Sequence, residues 1–449
     1  MEVQGLLLRG SFEGAATTEE YEIEWCERRI LQRIHDLTRN AVRKQVEAVT
    51  PAVFMRWLLA WQHLTPQSRL TGEQGLFQAL LQLEGFEAPA IEWERSILPA
   101  RVADYHPRWL DQLCLSGTVG WGRISPHPAW SIGDGAAPTR VIPSNSTPIT
   151  FYFRDSSDLM TYTLAAQSVD ESKLQQALSE VALGVRGYLE QRGACFTEDI
   201  ERALGLTRSA ILEALWELAA AGLAAADGFD QLRAMIDPVR KSAMRNGHRK
   251  IRSTAGRWSL FHREIQNRTS EIGQARHTDL ALEAAAHTLL ARYGVVFRDL
   301  LLRESNLPKW RDLVGMFRRL EDRGVVRGGR FVSGFSGEQF ASLEALESLR
   351  ASKHAVSEDA IEVAGGDPMN LVGIVVPGTR VAGTPGRSIQ FRNGLILGEQ
   401  EPVAVPRSEQ KGQAHAPARP LQFEHRPARR KADINTSLPL FEGLEIGTN

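Results

Sequence analysis

The side chains best suited to chemistry in this 449-residue sequence are arginines, lysines and tryptophans. Lys and Arg neutralise phosphates, and flat rings offer surfaces on which the bases of a single strand can stack. A run from Arg240 to Arg263 is countered by Asp237 alone, which favours nucleic-acid contact over a charged linker. The residues predicted to bind nucleic acid are Arg39, Arg43, Lys44, Trp61, Trp93, Arg101, Arg249, Lys250, Arg257, Arg318 and Arg319.

Each of these predictions has a structural alternative. Arg39, Arg43 and Lys44 could equally form the solvated face of a helix. Trp61 and Trp93 could each serve core packing, because Trp mostly buries area.

Motifs for other chemistry are missing from the sequence. A nucleotide motor needs a GxxxxGK[ST] loop and an acidic strand end for Mg²⁺, and neither is found. Residues 334–337 read GFSG, which lacks the GxSxG spacing of a nucleophile elbow. There is no HExxH, and the three cysteines, Cys26, Cys114 and Cys195, have no CxxC spacing. We therefore predict no catalytic residue, no metal site and no disulfide framework.

The elements that would position the basic side chains are predicted most clearly around residues 308–340. Trp310, Leu313, Phe317 and Leu320 recur at helical spacing, and arginines occupy the opposite face. Gly324 should end this helix, and two short strands, Val325-Val326 and Phe331-Val332, should follow with a turn at Gly328-Gly329. A helix that runs into a β-hairpin is the second half of a winged helix, and this helix usually faces nucleic acid.

This pattern repeats along the chain. Glycines at 5, 117, 222 and 324 each lead a similar hairpin-like string, at separations of 112, 105 and 102 residues. Before the last three glycines, Leu113, Leu218 and Leu320 stand four residues upstream, and Leu110, Leu215 and Phe317 stand seven upstream. One buried helix face entering one kind of hairpin is therefore predicted three times. Because the string at Gly5 has no helix before it, we expect the chain to start inside a winged helix.

Composition sets wider bounds. Lys plus Arg number 53 and Asp plus Glu 54, so any positive surface must be local. No apolar run reaches membrane-spanning length and no signal peptide is evident, so we expect a soluble, cytoplasmic protein without a membrane partner.

The predicted fold class is α+β, with tandem winged-helix modules, then a small β-sheet or barrel, then a disordered tail. A long helix is expected from Tyr21 to about Val49, and strands at 370–376, 380–381, 388–391 and 395–397. The predicted domains are a remnant hairpin (1–20), a helical plus winged-helix module (21–165), a second module with a basic linker (166–275), a third module (276–355), the sheet or barrel (356–400) and the tail (401–449).

Several strings resemble one known family. They are WCERRILQRIHDLTRNAVRKQVEAVTPAVFMRWLLAWQHL (25–64), LLQLEGFEAPAIEWERSILPARV (80–102), WLDQLCLSGTVGWGRISP (109–126), AGRWSLF (255–261), LEDRGVVRGGRFVSGFSGEQFA (320–341) and DPMNLVGIVVPGTRV (367–381). Over about residues 1–400 they resemble the C-terminal, DEAD/H-associated region of Lhr-type (large helicase-related) superfamily 2 helicases.

The resemblance implies a DNA-gripping portion of an ATP-dependent helicase, with ATP and Mg²⁺ bound only by motor lobes that this chain lacks. The implied partners are single-stranded DNA or an RNA:DNA hybrid, and a separately encoded RecA-like motor is a further possibility. The same arrangement resembles AlkZ-type DNA glycosylases, which implies base-excision repair as the alternative function. The QxQ motif of those glycosylases does not occur in this sequence.

Overall fold

The computed structural model describes residues 6–10, 24–34, 37, 47–130, 140–154, 171–236, 256–261 and 274–400. The helices are α1 (28–34), α2 (Pro51–Trp61), α3 (Gly72–Leu83), α4 (Ala90–Glu92), α5 (Leu98–Arg101), α6 (Pro107–Leu115), α7 (Glu171–Ala177), α8 (Glu180–Arg192), α9 (Thr197–Leu204), α10 (Arg208–Ala220), α11 (Phe229–Ile236), α12 (Gln274–Tyr293), α13 (Trp310–Asp322) and α14 (Leu343–Ala351). A π-helical turn (Trp93–Ile97) joins α4 to α5, and 3₁₀ turns occupy Pro128–Trp130 and Arg298–Arg303.

The strands are short and form several small sheets. They are β1 (Leu7–Gly10), β2 (Glu24–Glu27), β3 (Leu70–Thr71), β4 (Ala88–Pro89), β5 (Val102–Ala103), β6 (Val119–Gly122), β7 (Pro148–Phe153), β8 (Ala224–Ala226), β9 (Trp258–Leu260), β10 (Val295–Val296), β11 (Val326–Gly329), β12 (Gln339–Ser342), β13 (Ile361–Ala364), β14 (Ser388–Arg392) and β15 (Leu395–Gln400).

Three stretches of the chain share one topology. In the first module (72–153) the strand order is β4-β7-β6, and in the third module (274–342) it is β10-β12-β11. In the second module (180–260) β9 pairs with β8 and forms a single antiparallel bridge to Cys195. In each case the last strand lies between the other two, and three helical segments precede the last two strands. This is the winged-helix arrangement, so the predicted α+β class with tandem winged helices is confirmed.

The glycines that lead each wing end their helices as predicted. Gly117, Gly222 and Gly324 have φ of 80°, 78° and 78°, the left-handed conformation that favours glycine at a helix end. Each glycine N–H donates to the carbonyl three residues earlier, at 2.9–3.0 Å. The upstream residues at both predicted spacings are buried. One helix face therefore enters the core in all three modules.

The turns that follow were predicted wrongly. Gly328 and Gly329 lie inside β11, which pairs with β12, so the turn is the longer segment 330–338. In the first module β6 pairs with β7, across a connection that spans 123–147. In the second module Asp227-Gly228 leads into α11, and the partner strand β9 comes some thirty residues later. The wings are insertions between paired strands, not tight hairpins.

The amino-terminal helix was also overestimated. Glu24–Glu27 forms β2, which pairs antiparallel with β1, because backbone pairing with another strand overrides the helical spacing of the apolar residues. Helix α1 follows, and residues 38–46 lie outside the described residues.

After α14 the chain forms a three-stranded antiparallel sheet of order β13-β14-β15. Asn393 and Gly394, with φ of 51° and 76°, make the predicted two-residue turn between β14 and β15. The strand predicted at 370–376 is wrong, since those residues form turns with a single bridge from Val372 to Val376. No closed barrel is formed by the residues placed up to position 400, and the predicted disordered tail lies outside the described residues.

Two large cores hold the modules together. One joins the first and second modules, from Leu76 to Trp258. The other joins α2 to the third module and the carboxy-terminal sheet, from Val49 to Phe391. Helix α2 begins as predicted, because Thr50 Oγ1 accepts a hydrogen bond from Val53 N and Pro51 occupies the first turn. Within the described part of the chain, no helix is both long and apolar enough to cross a membrane.

Candidate nucleic-acid interface

Helix α13 of the third module has one buried and one basic face. Leu313, Met316, Phe317 and Leu320 are buried, and the Phe317 ring stacks on Phe340 of β12 with centroids 5.0 Å apart. Because the apolar stripe fixes the rotation of the helix, its other face must point to solvent. Arg318 and Arg319 lie on that face, with side chains 58% and 48% exposed.

These arginines already have acidic neighbours. Arg318 pairs with Glu338 of the wing at 2.6 Å, and Arg319 pairs with Asp279 of α12 at 3.0 Å. Arg323 pairs with Glu283 at 2.7 Å. Exposed pairs of this kind contribute only about 0–1 kcal/mol each, so a phosphate could displace the carboxylates at little cost.

The wing of the third module adds two further cations that were not among the predicted contacts. Arg327 on β11 and Arg330 just after it are exposed, and neither has an ion-pair partner among the described residues. The sequence signal that could have identified them is their position in the segment that follows α13, where a wing meets nucleic acid.

The wing of the second module contains the basic run. It extends from the end of β8 to the start of β9, so the run is a wing insertion and not the linker predicted after the module. Arg257 is 53% exposed and pairs with Asp227 at 3.1 Å. Arg249 and Lys250 lie outside the described residues, as do Arg39, Arg43 and Lys44 of the amino-terminal segment.

Trp61 is partly buried at the end of α2. Its Nε1 donates to the carbonyl of Ala291 at 2.9 Å, and its ring lies 5.2 Å from that of Trp57. The ring therefore packs against the third module, and only its remaining edge is open to a base.

Trp93 and Arg101 are fully buried, which corrects the prediction that they face nucleic acid. Trp93 packs edge-on against Phe151 at 4.9 Å and donates to Ile149 O. Arg101 donates to both carboxylate oxygens of Asp367, at 2.6 and 2.9 Å, and to Gln62 Oε1. Both side chains hold the fold together.

Arg101 belongs to a set of buried arginines that join the modules. Arg292 pairs with Glu304 and donates to Gln82 O and Glu84 O of the first module. Arg303 donates to Asp367 O at 2.7 Å, and burial lowers the pKa of its guanidinium. These contacts fix the first module, the third module and the carboxy-terminal sheet in one arrangement, which sequence spacing alone could not show.

One carboxyl group has an unusual environment. Burial raises the pKa of Asp230 at the start of α11, and the nearby Asp111 raises it further. Asp230 Oδ1 is buried without a hydrogen-bond partner. Neighbouring Arg233 is occupied elsewhere, with Glu94 and Asp111. No group of three His, Cys, Asp or Glu side chains placed to hold a metal ion occurs among the described residues.

Comparison with known families identifies two of the three modules. Residues 49–135 match the third winged-helix domain of large helicase-related (Lhr) proteins, and residues 275–361 match the fourth. The second module lies between them in sequence.

Two full-length relatives extend the likeness. The Lhr helicase/probable uracil glycosylase of Mycolicibacterium smegmatis is 28% identical over 419 residues, which cover 89% of this chain and 26% of the relative. The Lhr helicase/uracil glycosylase of Escherichia coli K12 is 26% identical over 396 residues, which cover 79% of this chain and 24% of the relative. The chain spans about a quarter of the length of these relatives. The predicted resemblance to the C-terminal region of Lhr-type helicases is confirmed.

Proposed function

Because this chain carries the third and fourth winged-helix domains of the Lhr type, we propose that it is a nucleic-acid-binding portion of an Lhr-type helicase and grips single-stranded DNA. Binding ATP and pulling the strand would belong to parts of the relatives that the chain does not match. An RNA:DNA hybrid is the alternative substrate of the same grip.

The observation that carries this proposal is the basic face of α13 beside its wing. Arg318, Arg319 and Arg323 lie on the helix that winged-helix proteins commonly offer to nucleic acid, and Arg327 and Arg330 continue the positive charge into the wing. Their intramolecular ion pairs are exposed and weak, so they can be exchanged for phosphates.

Fluorescence anisotropy with a labelled single-stranded oligonucleotide tests the proposal. Binding should weaken as salt rises, with a log–log slope of about −0.7 for each phosphate contacted. The double variant Arg318→Ala/Arg319→Ala should bind several-fold more weakly and reduce the magnitude of that slope by about 1.

The matched control is Arg202→Ala, which removes an exposed arginine that pairs with Asp199 on α9 of the second module. We expect this variant to bind as the unaltered chain does. Salt-insensitive binding, or equal binding by the double variant and the unaltered chain, would contradict the proposal.

Base excision is the second candidate function, since the names of both relatives include uracil glycosylase. A flipped base needs an acidic group beside it, and Asp230 is the carboxyl group whose pKa burial raises among the described residues. Incubation with a uracil-containing single strand, followed by alkaline cleavage of abasic sites, tests for activity. Absence of abasic product would remove this candidate, and full activity of Asp230→Asn would remove the assignment of Asp230.

A further inference from the structure

A second positive surface lies where the carboxy-terminal sheet meets the first module. The loop 377–387, PGTRVAGTPGR, contains two arginines and no acidic residue. Arg380 and Arg387 are exposed, and so is Arg95 of the π-helical turn in the first module. A Cβ placed on Gly386 would lie 4.0 Å from Arg95 Nη1, so that guanidinium group borders the loop.

The three exposed arginines are unpaired. Arg95, Arg380 and Arg387 have no hydrogen-bond or ion-pair partner among the described residues. The carboxylates that anchor this region are buried and engaged, since Glu92 accepts from Gly386 N at 3.0 Å and Asp367 is bound by Arg101. Arg303 lies behind the loop, close enough to Arg380 for the two cations to repel. The surface therefore has an uncompensated positive charge.

The loop also presents its backbone. Between residues 378 and 384 no amide N–H donates to any group in the described part of the chain. The side chains there are small apart from Arg380 and Val381, so a ligand can approach the main chain closely. Free amides beside arginines are the groups that bind phosphate oxygens.

The loop is nevertheless held in place. Asn370 Nδ2 donates to Val381 O at 2.9 Å, Gly365 N donates to Arg387 O at 2.7 Å, and Arg303 Nη2 donates to Gly365 O at 3.1 Å. The inner edge is thus fixed while the outer edge is open, so little conformational entropy would be lost on binding.

We propose that Arg95, Arg380, Arg387 and the open amides of residues 378–384 form a second contact for the phosphate backbone of the bound strand. The proposal rests on nucleic-acid binding by the chain and adds a site remote from α13 in sequence. Contacts to phosphates position a strand without reading its bases, so this site is indifferent to sequence.

The experiment compares two triple variants that remove the same net charge. Arg95→Ala/Arg380→Ala/Arg387→Ala changes the site, and Arg192→Ala/Arg202→Ala/Arg350→Ala changes three exposed arginines elsewhere. Anisotropy is measured on a labelled single strand and on an abasic strand of the same length, across a salt series. The site variant should lose about 10-fold in affinity at low salt and about 2 in the magnitude of the salt slope, by the same factor on both strands. The control should lose less than about 3-fold, as expected for non-local charge.

Each outcome has a separate meaning. Equal losses in the two triple variants overturn the site and leave binding through α13 intact. A loss on the normal strand but not on the abasic strand overturns the phosphate assignment. Failure of the unaltered chain to bind either strand overturns the proposed function and this site together. Matching thermal unfolding curves for both triple variants show that the losses do not come from misfolding.

Discussion

Arg101 shows how a single residue can mislead when only its type is known. Its charge and its place after a tryptophan-rich segment suggest a phosphate contact, yet it is fully buried and bound to Asp367 and Gln62. A guanidinium group can be buried only where carboxylate and amide oxygens meet its fixed fork of donors. Those oxygens come from residues 39 and 266 positions away, which no local pattern reveals.

Arg101 and Arg95 form a matched pair for stability. Arg101→Ala leaves the Asp367 carboxylate buried without its partner, so we expect the free energy of unfolding to fall by about 3–5 kcal/mol. Arg95→Ala removes an exposed side chain and should change it by less than about 0.5 kcal/mol. Urea unfolding followed by tryptophan fluorescence measures both. Equal stability of the two variants would show that the buried pair is not a structural tie.

Asp230 gives a prediction about pH. Burial raises the pKa of this carboxyl group in the folded chain, so folding favours the protonated form and the ionised form costs stability at higher pH. Asp230→Asn should therefore raise the melting temperature at pH 8, and the gain should vanish below about pH 4, where the unfolded chain is also protonated. Scanning calorimetry across this range measures the difference. A gain that does not change with pH would contradict the assigned cause.

At the scale of elements, the helix ends were predictable and the wings were not. A glycine with buried residues four and seven positions upstream is a local pattern, because the helix repeat places all of them on one side. Gly117, Gly222 and Gly324 accordingly end helices as predicted. The strand that completes each wing pairs across an insertion, and its distance depends on tertiary contacts. Glycine pairs such as Gly328-Gly329 therefore indicated turns where the chain continues as a strand.

Two glycines of α13 separate backbone conformation from packing. Gly324 has φ of 78° and Gly315 is helical and exposed, and a Cβ at either position would have nothing within 4 Å. Gly324→Ala forces a left-handed alanine and should cost about 1 kcal/mol. Gly315→Ala removes backbone freedom from the unfolded chain and should gain about 0.5–1 kcal/mol. Opposite shifts in the melting temperature would confirm the helix end, and shifts of the same sign would contradict it.

At the scale of the whole molecule, the order of modules in the sequence is not the order of packing. Helix α2 lies directly before the first module in the chain, yet it packs into the core of the third module and the carboxy-terminal sheet. Trp57 Nε1 donates to Ser348 Oγ, 291 residues away. The sequence predicted an apolar helix here but could not tell which module would cover it, because every module presents apolar surface. The candidate phosphate contact depends on this arrangement, since Arg95 and Arg387 meet only where the two ends of the chain are joined.

Hydrogen exchange on two tryptophan variants tests the division into two cores. Trp57 is 3% exposed in the core that contains the third module, and Trp93 is fully buried in the core of the first and second modules. Each change to Ala should cost about 3–5 kcal/mol, so each core should open locally before the other. Trp57→Ala should speed exchange in residues 285–297 and 343–351, whereas Trp93→Ala should speed it in residues 79–83 and 110–121. If modules packed in sequence order, Trp57→Ala would instead loosen residues 72–101 and leave the third module protected. Equal loosening of all four segments by both variants would show a single cooperative core, and the two positively charged surfaces would then rise and fall in stability together.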